Sequence, residues 1–232
     1  MAERHAILDL QAATPSMLPG AVINAALDLR LDAGEFALIE CRSAEWAAHF
    51  ADVCCGLHPL QRGVARFLGR DWARIGDTEA NALRGRIGRV FHGIPWVGFL
   101  DMETNILLSQ RYHTRRGLAE LRAMALELSH EFGLPGLPVG APTELPPVDL
   151  ARAACVRAFL GEPLLVILEH PLPPGNIDLP EMLINAVSHA RNRGAAVLWL
   201  TPDDAVWRDR SVPVTQRLRI SEGGLAQPRH FS

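Results

Sequence analysis

Chemistry in this chain has to proceed without lysine. All 23 basic residues are arginine, which excludes a lysine Schiff base and a phosphate-loop lysine alike. The cysteines, Cys41, Cys54, Cys55 and Cys155, show no C-x-x-C spacing, and the neighbours Cys54 and Cys55 are poorly placed to bridge each other. They read as buried free thiols. The nine histidines include no H-E-x-x-H or H-x-H pair, so no metal site is expected. Glu169 and His170 adjoin at the end of an apolar run. A carboxylate beside an imidazole can raise its pKa, which would suit a general base; the plainer reading is a solvated or hydrogen-bonded histidine that does no chemistry. Trp46 is either a ligand-stacking ring or packing, and packing is the default.

The elements that must position these residues come from the apolar pattern. Residues 26–31 alternate like a half-buried strand, and 32–35 (Asp-Ala-Gly-Glu) form a turn. Residues 36–41 (FALIEC), 164–168 (LLVIL) and 195–201 (AAVLWLT) are apolar almost throughout, as strands covered on both faces are. Shorter strands are expected at 5–10, 63–68, 87–91 and 216–220, the last paired with a strand after Gly223-Gly224. Helices are expected over 43–55, 101–132, 148–160 and 179–192, with a Pro/Gly-rich loop at 135–147.

The chain is β-rich first, helical in the middle, then alternates β and α. That order predicts an α/β fold with a mostly parallel sheet flanked by helices, an antiparallel β piece and an inserted helical lobe. A length of 232 residues fits one domain, with 1–92 and 163–232 as the core lobe and 93–162 as the helical lobe. A net charge of -3 gives no basic excess to attract nucleic acid. No apolar run approaches the ~18–20 residues that span a bilayer, and the N-terminal stretch lacks a signal-peptide core. A cytoplasmic protein is expected, at the inner face of the membrane only through a partner.

Three stretches carry a resemblance: the strand-turn-helix at 36–53, the run from Arg152 through Glu162-Pro163 to Glu169-His170-Pro171, and the strand leading to Thr201-Pro202-Asp203. Together they resemble the nucleotide-binding domain of ATP-binding cassette (ABC) transporters, a P-loop NTPase-like fold, over almost the whole chain. The family's phosphate loop, G-x-x-G-x-G-K-[ST], corresponds to Glu40-Cys41-Arg42-Ser43-Ala44-Glu45-Trp46-Ala47. The glycines that let the backbone wrap phosphate fall on Glu40, Ser43 and Glu45. The lysine falls on Trp46 and the magnesium-binding hydroxyl on Ala47. Two carboxylates there would repel a phosphate oxygen by about 4 kcal/mol per pair at ~4 Å and an effective dielectric of ~20. The Q-loop glutamine falls on His92, and the LSGGQ signature on Leu145-Pro146-Pro147-Val148-Asp149, where two prolines remove backbone donors. The Walker B aspartate falls on Glu169, the catalytic glutamate on His170 and the switch histidine on Pro202. The adenine-stacking aromatic is missing, since the first 35 residues hold no Phe, Tyr or Trp.

The resemblance therefore implies a degenerate cassette, a pseudo-ATPase with no catalytic residues and no bound cofactor. Its expected role is scaffold or regulator, on a transporter membrane subunit or an active ATPase subunit, as a homodimer or heterodimer. Two alternatives stand beside it: a divergent ATP-binding subunit that holds or hydrolyses ATP in an altered mode, and a small-ligand sensor in the former nucleotide cleft. The apolar stretch 94–100 (IPWVGFL) borders the region where the family docks its membrane subunit, so His92, Trp96, Phe99, Arg111 and Arg115 are the candidate partner contacts. Core packing for the apolar stretch and a solvated helix face for the arginines are the competing readings.

Overall fold

The structure is a computed structural model that describes residues 6–17, 22–93 and 96–227. Its centre is a six-stranded sheet in the order β10(Gly224–Ala226)-β9(Gln216–Ser221)-β3(Phe36–Glu40)-β8(Ala196–Thr201)-β7(Leu165–Glu169)-β6(Ile87–Val90). Pairings from β9 to β6 are parallel, and β10 closes the edge antiparallel. Strands β3, β7 and β8 are buried at every position because both faces are covered, as their unbroken apolar runs require.

The period of two divides these strands between two cores. Leu38, Val166, Leu168, Val197 and Trp199 face the first core, with the middle helices. Ile39, Leu165, Ile167, Leu198 and Leu200 face the second, with α1(Ala44–Cys54) and the small antiparallel sheet. That sheet has the order β2(Leu27–Leu31)-β1(Leu8–Pro15)-β4(Leu60–Phe67)-β5(Arg70–Asp71).

The middle of the chain holds α2(Asp77–Arg84), α3(Met102–His113), α4(Leu118–Glu131) and α5(Pro147–Phe159); α6(Leu179–Asn192) and α7(Asp204–Arg208) follow. Helix α5 lies so close to β6 that a Cβ on Gly88 would sit 1.8 Å from the Ala158 carbonyl oxygen. Among the described residues, no helix is long and apolar enough to cross a membrane.

The expected α/β layout holds, with several corrections of detail. The helix expected over 101–132 is two helices. Thr114 Oγ1 hydrogen-bonds the Gln110 carbonyl at 2.7 Å, ending α3, and Gly117 opens α4. Strand β4 starts at Leu60, three residues before the expected 63, because it pairs along the bulged β1. The first strand runs Leu8–Pro15, longer than expected; His5 lies outside the described residues, as do residues 94 and 95 of the apolar stretch. Helices α2 and α7 were not expected.

Candidate functional site

Strand β3 ends at Glu40 and α1 begins at Ala44, so only Cys41, Arg42 and Ser43 lie between them. Ser43 is the N-cap: its Oγ accepts from the Trp46 backbone N–H at 3.2 Å. Trp46 sits in the first turn, partly buried against the second core, as its packing reading expected. Ala47 is buried beneath it and Glu45 is exposed.

Glu40 departs from expectation. Its carboxylate is only 3 % exposed and does not stand open to repel an anion. Arg42 Nε donates to it at 3.2 Å, and Arg219 Nε, from the neighbouring β9, donates at 2.6 Å. These residues line an open cleft of about 460 Å³ with Ser43, Trp46 and Ser221. Burial pushes the Cys41 thiol up to about 12, against the hydrogen bond it makes to the Ser43 carbonyl, so it stays protonated and is a poor nucleophile.

A second constellation closes the other side of α1. Glu169, at the end of β7, is 1 % exposed. Arg89, on β6, donates through Nε to Glu169, through one terminal nitrogen to Asp52 at 2.6 Å, and through the other to the Ala48 carbonyl at 3.2 Å. The Phe91 ring lies 4.4 Å from the guanidinium carbon. Burial is the largest single influence and works against the Arg89 charge, but the hydrogen bonds and charges of Glu169, Cys55 and Asp52 together outweigh it and hold the guanidinium above its usual pKa.

His170 follows in a left-handed backbone conformation, φ 44°, and its Nε2–H donates to the Cys41 carbonyl at 2.8 Å. The His92 ring meets it edge-on at 5.3 Å. The general-base reading, in which the neighbouring carboxylate raises the His170 pKa, does not hold. Burial lowers it, opposed by the Cys41 bond and helped by His92, while Glu169 is turned to Arg89. His170 is thus a neutral strut between β7 and the β3–α1 turn.

The other family positions are also placed. Pro146 is the N-cap of α5 and Pro147 its first residue, with no side-chain cap bond and with Asp149 in the first turn. Pro202 follows β8, and Asp203 caps α7 through the Ala205 N–H at 2.7 Å.

Beyond β6 lies a groove of about 580 Å³ between that strand, α3 and α5, lined by Phe91, Val97, Leu108, Gln110, Tyr112 and Arg157 among others. Of the candidate partner residues, Trp96 packs on the first core with the Arg157 guanidinium 4.4 Å from its ring. Phe99 is 90 % exposed, and His92, Arg111 and Arg115 are exposed nearby in sequence. Arg116 is turned away to Glu120 and Glu162, each at 3.7 Å. Sequence reasoning missed Leu108 and Tyr112, although their i, i+4 spacing puts them on one face of α3, where they are 44 % and 76 % exposed. It also missed Arg89, Asp52 and Arg157.

Comparison with known proteins agrees on the fold. The chain superposes on the dimeric structure of MJ0796, a bacterial ABC transporter cassette, with a TM-score of 0.80, covering 97% of this chain and 100% of that one at 18% identity. An ATP-binding subunit of an ABC transporter gives 0.76 at 19% identity, over 95% of this chain and 90% of that one. The fold is that of an ABC transporter ATP-binding cassette.

In sequence, the chain is 24% identical over 201 residues to the macrolide export ATP-binding/permease protein MacB of Chlorobium luteolum, covering 84% of this chain and 30% of MacB. It is 26% identical over 159 residues to the phosphonates import ATP-binding protein PhnC of Rhodopseudomonas palustris, 66% of this chain and 58% of PhnC. It is 28% identical over 161 residues to the lipoprotein-releasing system ATP-binding protein LolD of Pseudomonas syringae, 68% of each chain. The chain thus spans less than two thirds of the length of MacB and of PhnC. No protein-family model matches the sequence.

Proposed function

We propose that this chain is a cassette-fold subunit of an ABC-type transport system that does not hydrolyse ATP. It acts as a scaffold or regulator, docked on a transporter membrane subunit or an active ATPase subunit at the inner face of the membrane. The observation that carries this reading is the seat of Arg89. Its guanidinium occupies Glu169, the carboxylate that by resemblance would serve the magnesium ion, and holds Asp52 as well. A divalent cation there would have to displace the Arg89 guanidinium, itself only 8% exposed, and leave that buried charge without its carboxylate, at a cost of about 3–5 kcal/mol.

The residues present do not fit a magnesium nucleotide in other respects. A phosphate loop wraps its ligand with successive backbone N–H groups and a lysine; here three residues make a capped turn, and there is no lysine. His170 is tied to the Cys41 carbonyl, where a water-activating carboxylate would have to be free. The groove beyond β6, with Leu108 and Tyr112 exposed in its lining, supports docking, because exposed apolar clusters mark partner sites.

The second reading is a divergent ATP-binding subunit. The named relatives are ATP-binding proteins of transporters, and on that ground the comparisons favour it over the first reading. An ATPase assay separates the two. The first reading expects no magnesium-dependent phosphate release from the purified chain. A rate above background that disappears in Glu169→Gln and His170→Ala would establish the second. For docking, a pull-down that recovers a permease from wild type but not from Leu108→Arg is expected; equal recovery by both would reject the groove.

A further inference from the structure

Two guanidinium groups line the cleft beside the β3–α1 turn from separate elements, Arg42 from the turn and Arg219 from β9. Both are tied to Glu40, 3 % exposed: Arg42 by Nε at 3.2 Å, Arg219 by Nε at 2.6 Å and Nη2 at 2.5 Å. One buried carboxylate thus positions two cations and neutralises one of them. The Trp207 ring, 5.5 Å from the Arg219 guanidinium carbon, steadies that side chain further. The other N–H groups of Arg42 have no partner among the described residues, and its side chain is 77 % exposed. Trp46, Ile220 and the protonated Cys41 thiol make the remaining walls mostly apolar, and Glu222 is an exposed acid at the rim. The volume, about 460 Å³, is that of a small-molecule site.

We infer that this cleft binds a small aromatic monocarboxylate without a metal ion, its carboxylate on the Arg42 fork and its ring against Trp46. The charges decide the class of ligand. The lining sets two arginines against two glutamates, so it offers a multiply charged triphosphate no cationic excess, and Glu222 opposes each added charge. A single carboxylate needs one guanidinium only, and the uncommitted N–H groups of Arg42 present paired donors in the matching geometry. An aromatic body gains stacking on an indole that an aliphatic body does not. Glu40 keeps its own partners throughout, so no buried charge is exposed or orphaned when the ligand arrives. The inference goes beyond the docking reading and does not depend on it: this cleft and the groove beyond β6 share no lining residue.

The test is isothermal titration of the full chain with benzoate, phenylacetate and 2-naphthoate, up to millimolar concentration and without magnesium. At least one should bind saturably, and at least ~5-fold more tightly than its carboxamide, as a charge-assisted pair at a half-open site gives. That preference should vanish in Arg42→Gln and survive in part in Arg42→Lys. The advantage of the same acid over its ring-saturated counterpart, about 3-fold or more in wild type, should disappear in Trp46→Leu. Thermal melts check that Trp46→Leu folds; if it does not, a crystal of the wild-type complex with the ring stacked on Trp46 decides instead. No saturable binding by any of the three acids, or binding that Arg42→Gln leaves unchanged, would overturn the inference and leave the scaffold reading standing. Displacement of the bound acid by micromolar Mg-ATP would overturn the charge argument and favour the divergent ATP-binding reading.

Discussion

Replacing Arg89 with methionine removes the guanidinium and keeps most of the side-chain volume. Three contacts disappear together: the bonds to Glu169, to Asp52 and to the Ala48 carbonyl. Their consequences differ. The Asp52 side chain is 40% exposed and recovers its hydration, so its loss costs little. Glu169 is 1% exposed and is left without its cation. Removing one partner of a buried ion pair costs about 3–5 kcal/mol, because the survivor is an uncompensated charge. For a chain of this size each kcal/mol lowers the melting temperature by about 2–4 °C, so a fall of about 6–20 °C is expected. Replacing both partners should be gentler: Arg89→Met with Glu169→Leu should regain at least half of the loss, since an apolar pair of similar volume needs no compensation. Calorimetric melts of the four proteins in this double-mutant cycle give the coupling directly. A single-variant shift under ~2 °C, or a double variant no better than Arg89→Met alone, would refute the claim that Arg89 neutralises a buried Glu169.

Three further outcomes follow from the geometry. His49 Nδ1 accepts the backbone N–H groups of Val22 at 3.1 Å and Ile23 at 3.2 Å, and burial first, then His58, lowers its pKa against the pull of Asp52. A histidine lowered in the folded state contributes stability that is complete above its unfolded pKa of about 6.5 and is lost as pH falls toward the folded value. Urea midpoints should therefore drop between about pH 7.5 and pH 5, and His49→Gln should flatten that slope; an unchanged slope would contradict the assignment. Gly88→Ala sets a methyl 1.8 Å from the Ala158 carbonyl, so α5 must shift off β6 at a cost of about 1–3 kcal/mol, read as a lower urea midpoint. Cys41, with its thiol pushed up to about 12, should resist iodoacetamide at neutral pH in the folded chain and react promptly in urea, as followed by mass spectrometry of the labelled peptide.

The fold was legible where burial leaves a simple signature. FALIE, LVILE and AVLWLT are apolar because helices cover one face of the sheet and α1 with the small antiparallel sheet covers the other, and each is a strand. Helix α6 announces itself through Leu179, Leu183, Ala186, Val187 and Ala190 on one face. Helix α2 was invisible for the opposite reason: only Ala80 is buried, so its eight residues show no apolar period. The break inside 101–132 depends on a hydroxyl competing for a carbonyl at Thr114, which periodicity does not register.

The candidate site was legible in its departures and not in its contacts. The residues at 40–47 showed that no lysine or glycine wrap is present. They did not show that Glu40 is neutralised by Arg219, 179 positions away, because that pairing follows from β9 lying beside β3. Arg89 and Glu169 are 80 positions apart and meet only because β6 and β7 are neighbours. Local sequence carries no trace of such a pair. The groove beyond β6 likewise combines residues of a strand and two helices, although Leu108 and Tyr112 could have been found from their spacing on α3.

Isothermal titration of the purified chain with Mg-ATP at millimolar concentration tests the central claim most directly. The expected result is a flat trace beyond dilution heat, unchanged when magnesium is omitted, with a melting temperature that does not move. Saturable heat with a micromolar Kd that requires magnesium, together with a crystal soak placing the triphosphate against residues 41–47, would contradict it.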